Sequence, residues 1–178
     1  MIAPVEFSAR LAIHARSTDV DLQVREIPSL SDAQENVVRA AAQLGQLQRD
    51  QASRAEVRTA ECASFGAEKS VVLARAQAEG RLEKAIKGCT PAEVQVISIG
   101  PWRFVTWPGE FFVEYALEVK SHSPRTFVIT LANGELQGYI TTPEAVVAGS
   151  YEAGNALFSP ANGRRMVEAT LALLASVE

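Results

Sequence analysis

The sequence predicts a mixed α/β fold: a core sheet with flanking helices and a long antiparallel helical hairpin inserted in it. Three observations carry this reading. A strand pattern over Trp102–Trp107 is followed by a helical pattern from Phe111 to about Lys120 and by a short apolar run over Phe127–Leu131, the order of a parallel βαβ unit. Residues 31–88 carry helical periodicity on both sides of one polar break. The N-terminal stretch alternates apolar and polar residues with the period of a strand.

The elements follow in order. Val5, Phe7, Ala9, Leu11 and Ile13 alternate with Glu6, Ser8, Arg10 and His14, which predicts a strand with one buried face. Val20, Leu22 and Val24 alternate with Asp19, Asp21, Gln23 and Arg25 as a second strand, ended by Pro28. Ser31-Asp32-Ala33-Gln34 has the form of a capping box, with Val37, Ala41, Leu44 and Leu47 at helical spacing behind it. The polar run Gln48-Arg49-Asp50-Gln51 places a turn near Asp50–Ser53. A second helix is expected from about Ala55 to Ile86, with Ala67, Val71, Ala74, Ala78 and Leu82 on one stripe and Gly88 at its C-cap. The stripes are narrow and Ala-rich, so close packing is expected, and Gly66 marks either a kink or a close contact. An arm of this length reaches roughly 40 Å at 1.5 Å per residue. That exceeds what the core needs, so a homo-oligomer through the hairpin, or contact with another polypeptide part, is anticipated.

Pro91 ends the hairpin. Val94, Val96, Ile97 and Ile99 form a strand, Gly100-Pro101 a tight turn, and Trp102–Trp107 the returning strand. The following helix turns Phe112, Tyr115, Ala116 and Val119 inward, and Phe127–Leu131 reads as a strand buried on both faces. Pro143 suits the first position of a short helix through about Val147, and a last helix runs from about Asn162 to Ser176 with Val167, Leu171 and Leu174 inward.

Composition narrows the function classes. With 47% hydrophobic and 21% charged residues the chain is that of a soluble globular protein. A net charge of −4 and no Lys/Arg-rich stretch argue against nucleic acid as a partner. No apolar run approaches the roughly 20 residues of a membrane span. Met1–Glu6 lacks a basic region followed by an apolar one, so no signal peptide is expected and the compartment stays unknown. Cys62 and Cys89 fit no zinc spacing and are expected as free thiols.

The segment Trp107-Pro108-Gly109-Glu110 sets a carboxylate at a strand end beside a helix start, where open α/β sheets place their chemistry. Asn133-Gly134, Gly138-Tyr139-Ile140-Thr141-Thr142-Pro143-Glu144 and Gly149-Ser150-Tyr151-Glu152 follow. Taken alone, Glu110 is an acid in the first turn of a helix, Asn133-Gly134 a turn and Tyr151 a surface or half-buried aromatic.

Together these segments resemble the C-terminal part of the catalytic domain of neutral (alkaline, non-lysosomal) ceramidases and their bacterial relatives. The resemblance spans roughly Asp19 to Glu178 and is strongest from Glu93 to Glu152. It implies a zinc-dependent hydrolase of linear amides, in which Glu110 and Tyr151, 41 positions apart, match two zinc ligands and Asn133 lies on the substrate side. The family's two zinc-binding histidines and its serine nucleophile belong to an earlier part of its domain. Here the loop Gly134–Gly138 is one residue longer, and Glu135 or Leu136 replaces an expected aromatic. His14 and His122 lack a ligand's context, and no serine stands in a matching motif. Residues 1–178 are thus expected to be a single partial domain with the hairpin at 31–88, with no catalytic residue of its own, partnered by the N-terminal part of the hydrolase domain, binding zinc weakly or not at all and inactive alone. The alternative is a non-catalytic α/β module whose hairpin mediates self-association or partner binding.

Overall fold

The structure, a computed structural model, describes residues 10–177. Its elements are β1 (Ile13–Val20), α1 (Leu30–Arg49), α2 (Arg54–Ala78), α3 (Arg81–Cys89), β2 (Ala92–Ile99), β3 (Trp102–Thr106), β4 (Glu110–Phe111), α4 (Val113–His122), β5 (Thr126–Ile129), β6 (Tyr139–Ile140), α5 (Pro143–Val147), α6 (Tyr151–Asn155) and α7 (Ala161–Ser176). The fold is mixed α/β, as its patterns predict. A four-stranded sheet has the order β1-β2-β3-β5; β3 and β5 are parallel and joined by α4, the expected βαβ unit. The pairs β1–β2 and β2–β3 are antiparallel, and Gly100 makes the turn between β2 and β3 at φ +55.

The two faces of this sheet differ. On one, Val94, Val96 and Val105 are fully buried, with α7 against β1 and β2 and α4 against β5 and α7. Trp107, at the end of β3, lies wholly inside, and its indole N–H donates to Thr170 Oγ1 at 3.0 Å. The α7–α4 approach needs Gly163, since a Cβ there would run into the Tyr115 ring. On the other face the register aligns Ile13 with Ile99 and Trp102, and Ile97 with Phe104 and Phe127. Ile13, Trp102, Phe127 and Ile129 are exposed there. This corrects the expectation of a fully buried strand over Phe127–Leu131: β5 is an edge strand whose inner face alone is covered.

The hairpin is present. Helices α1 and α2 pack side by side, and the chain turns over Asp50–Ser53, with Gln51 at φ +51. The capping box is at Ser53: its hydroxyl accepts from Glu56 N, and the Glu56 carboxylate accepts from Ser53 N. The α1 cap is Ser29, two residues before the expected Ser31. The second arm stops at Ala78, because Gly80 takes the left-handed conformation (φ +69) just past the end of α2 and starts α3. Gly88 lies inside α3, whose end is at Thr90, so it is not the C-cap. Gly66 makes a close contact: a Cβ there would sit 3.4 Å from Gly154 Cα on α6.

Two N-terminal expectations are revised. Of the strand expected over Val5–Ile13, Val5 to Ala9 lie outside the described residues, and β1 runs Ile13–Val20, an edge strand opposite Ala92–Ile99. The strand expected over Val20–Val24 is replaced by a segment held by α7. Gln23 N donates to Asn162 Oδ1 at 2.9 Å and Asn162 Nδ2 donates back to Gln23 O at 2.7 Å. Only Val24 makes a bridge, to Phe158. No helix among the described residues is long and apolar enough to cross a membrane.

Candidate functional site

Beyond the parallel pair β3–β5 the chain forms a second, two-stranded parallel ladder, in which Glu110 of β4 stands opposite Tyr139 of β6. Trp107 and Phe111 anchor the approach to it, with ring centroids 4.7 Å apart. Pro108 and Gly109 are buried, and a Cβ on Gly109 would meet Leu136 at 3.1 Å. Leu136 is itself buried against Gly109. Glu110 is exposed and sits in β4; the helix begins at Val113 behind the cap residue Phe112, and the first-turn acid is Glu114. The reading of Glu110 as a first-turn acid is therefore corrected.

The chain just after Tyr139 is tied down by Tyr115. The Tyr115 hydroxyl donates toward Thr141 O (2.8 Å) and Pro160 O (3.2 Å), which ties α4 to the segment after β6 and to the start of α7. Burial, reinforced by Glu144, Glu114 and Glu118, pushes the Tyr115 phenol up to about 12. Gly138, at φ +78, lets the chain enter β6 against the Asn155 carbonyl, a position with no room for a Cβ.

Tyr151 opens α6, capped by Ser150, whose hydroxyl accepts from Ala153 N at 3.2 Å. Its ring meets that of Tyr139 edge-on, with centroids 6.2 Å apart and planes at 66°. The Tyr139 phenol is raised above its ordinary range by burial first, then by the nearby Glu110, Tyr151 and Glu152. Glu110 and Tyr151 therefore flank one phenol, and Glu152 joins them. Tyr139 is the residue that sequence reasoning passed over. The Gly138-Tyr139 pair was visible, but only its register opposite Glu110 singles it out.

Tyr151 also lines a groove of about 510 Å³ between α2 and the α5–α6 segment, with Cys62, Gly66 and Gly154 among its walls. Asn133 points its chemistry elsewhere: at φ +62 it donates from Nδ2 to Glu93 Oε2 at 2.6 Å. It lines a cavity of about 430 Å³ with Asp19, Glu93 and Glu135, away from Tyr139 and Tyr151. His14 is exposed in β1 opposite Ser98. His122 is exposed at the end of α4 remote from Glu110, with Nδ1 2.9 Å from Glu118 O. Neither belongs to the Glu110 cluster. Cys62 and Cys89 are free thiols.

The donor chemistry of the cluster is oxygen only, two carboxylates and two phenols. Among the described residues no group of three or more His, Cys, Asp or Glu side chains is placed to hold a metal ion. A catalytic zinc site needs three protein ligands and an open position, usually with histidine among them. The cluster supplies oxygen donors and no histidine. No protein-family model, no curated protein and no solved structure matches this chain.

Proposed function

We propose that the chain is the C-terminal portion of a zinc-dependent amide hydrolase of the neutral-ceramidase type, contributing part of the zinc site and inactive alone. The observation that supports this reading is the cluster at the strand end: Glu110 opposite Tyr139, with Tyr151 edge-on to that ring. Glu110 and Tyr151 are the residues that the family resemblance selects, and the register adds Tyr139 as the phenol beside Glu110. Zinc, once bound in the complete enzyme, supplies Lewis-acid polarisation of the amide carbonyl or activation of a water or other nucleophile. Tyr115 and Gly138 hold β6 in register, so their work is positioning. The missing ligands must come from another polypeptide part, the partner this reading requires.

Zinc titration by calorimetry tests it. Weak binding that disappears in Glu110→Gln and falls in Tyr139→Phe supports the reading. Binding indifferent to Glu110→Gln, or tight stoichiometric binding by the chain alone, overturns it.

A second reading, a non-catalytic module that self-associates through its hairpin, is favoured by one observation. Phe65 and Val72, seven residues apart on α2, are both exposed.

A further inference from the structure

We propose that the uncovered face of the four-stranded sheet is a dimerisation surface, and that its occupant is a second copy of this chain. The inference is independent of the metal reading. Each strand presents its outer residues to this face. Ile13 of β1, Ile97 and Ile99 of β2, Trp102 and Phe104 of β3 and Phe127 and Ile129 of β5 form one apolar surface aligned by the strand registers. Three of its rings interlock across strands: Phe104 and Phe127 stack at 5.4 Å, and Trp102 lies tilted on Phe127 at 5.8 Å. Every helix packed on this sheet lies on the opposite face, over Val94, Val96 and Val105.

The exposure is large. Ile13 keeps 67% of its surface, Trp102 46%, Phe127 47% and Ile129 46%. At roughly 200 Å² for a free side chain of this size, and with the half-buried Ile97, Ile99 and Phe104 added, the patch comes to on the order of 500–600 Å². That is the upper end of what a monomer leaves open. Two such faces brought together bury on the order of 1,000–1,200 Å², the threshold for a specific interface.

Charge selects the second copy. The body of the face carries no charged side chain, so two copies meet without like-charge contact. Asp19 and Glu93, paired in register, are acids at one end of the face, and a two-fold axis running across the strands keeps the acid ends of the two copies apart. Isoleucine and aromatic side chains on a pleated surface also suit face-to-face sheet packing, which meets at about 10 Å with interdigitated side chains. The interface is at the small end for stable dimers, so the expected association is in the micromolar range.

Sedimentation velocity from low to several hundred micromolar tests this. The expected result is a reversible shift from the 19.2 kDa monomer to twice that mass. Phe127→Asp, on a position that supports no core packing, should weaken association about 30-fold or more. Ile129→Lys does the same by a second route should the first variant lose its far-UV circular dichroism. Phe65→Asp, on the outer face of the hairpin, should leave association unchanged. A monomer at every concentration overturns the proposal, whether the face stays bare or takes a different protein. A dimer that survives both face variants, or one lost in Phe65→Asp, overturns it equally.

Discussion

The hairpin of α1 and α2 buries alanine and glycine (Ala33, Ala60, Gly66 and Ala74), while the core under α7 buries Trp107, Phe158, Ile140 and Met166. Each buried methylene contributes about 0.8 kcal/mol, so the two regions are held by different means. The core draws on transferred apolar area and on a few buried hydrogen bonds, Trp107 to Thr170 and Tyr115 to Thr141 among them. The hairpin draws on helix propensity, caps and mutual packing of narrow stripes, and it meets the rest of the molecule chiefly at α6. Substitution in the core should therefore be felt everywhere, and substitution in the hairpin only locally.

Trp107→Ala is the largest test of that contrast. It empties the centre of the core and removes the indole partner of Thr170, and should cost about 3–5 kcal/mol in urea unfolding followed by circular dichroism. If the hairpin is a dependent annex, its helical signal is lost in the same transition; a surviving helical fraction would show that it folds by itself.

Tyr115 gives an intermediate test through pH. Its phenol titrates near 12 when folded and near 10 when unfolded. Between those values the folded state keeps a proton that the unfolded state has lost, so stability is full below pH 10 and falls as pH rises toward 12. Tyr115→Phe should cost about 1–2 kcal/mol at neutral pH and flatten that alkaline decline. An unchanged decline would mean that other groups cause it.

Ser53→Ala is the smallest. It removes the capping box of α2 and should cost about 1 kcal/mol. The effect should appear as faster amide exchange in the first turn of α2, with no change in core protection. Loss of protection in β2 or α7 would erase the distinction between the two regions.

How much of this was legible depended on whether local pattern and tertiary burial agreed. They agreed for the hairpin, its turn, α4, α5 and α7, where apolar spacing, Pro143 and inward Val167 and Leu174 all point to the observed elements. They parted at Phe127–Leu131, whose continuous apolar run looks like a doubly covered strand although nothing among the described residues covers its outer face. The alternation at Val20–Val24 is real, but Asn162 of α7, 139 positions away from Gln23, takes the Gln23 N–H and shares its carbonyl with Ser159, so pairing shrinks to the single bridge at Val24. At the site, Glu110 and Tyr151 were visible as motif residues. Tyr139 was not, since a two-residue ladder such as β4–β6 leaves no periodicity to read.

The chain's two tryptophans stand at opposite ends of β3: Trp107 is sealed inside and Trp102 is half-open to water on the outer face. They make the protein its own pair of optical reporters. Excited together, they should give a blue-shifted emission from Trp107 that an aqueous quencher cannot reach, and a red-shifted one from Trp102 that it can. Unfolding would merge the two, whereas anything that settles on the outer face would darken only the quencher's access to Trp102. A single spectrum can thus tell whether the molecule has lost its interior or covered its exterior.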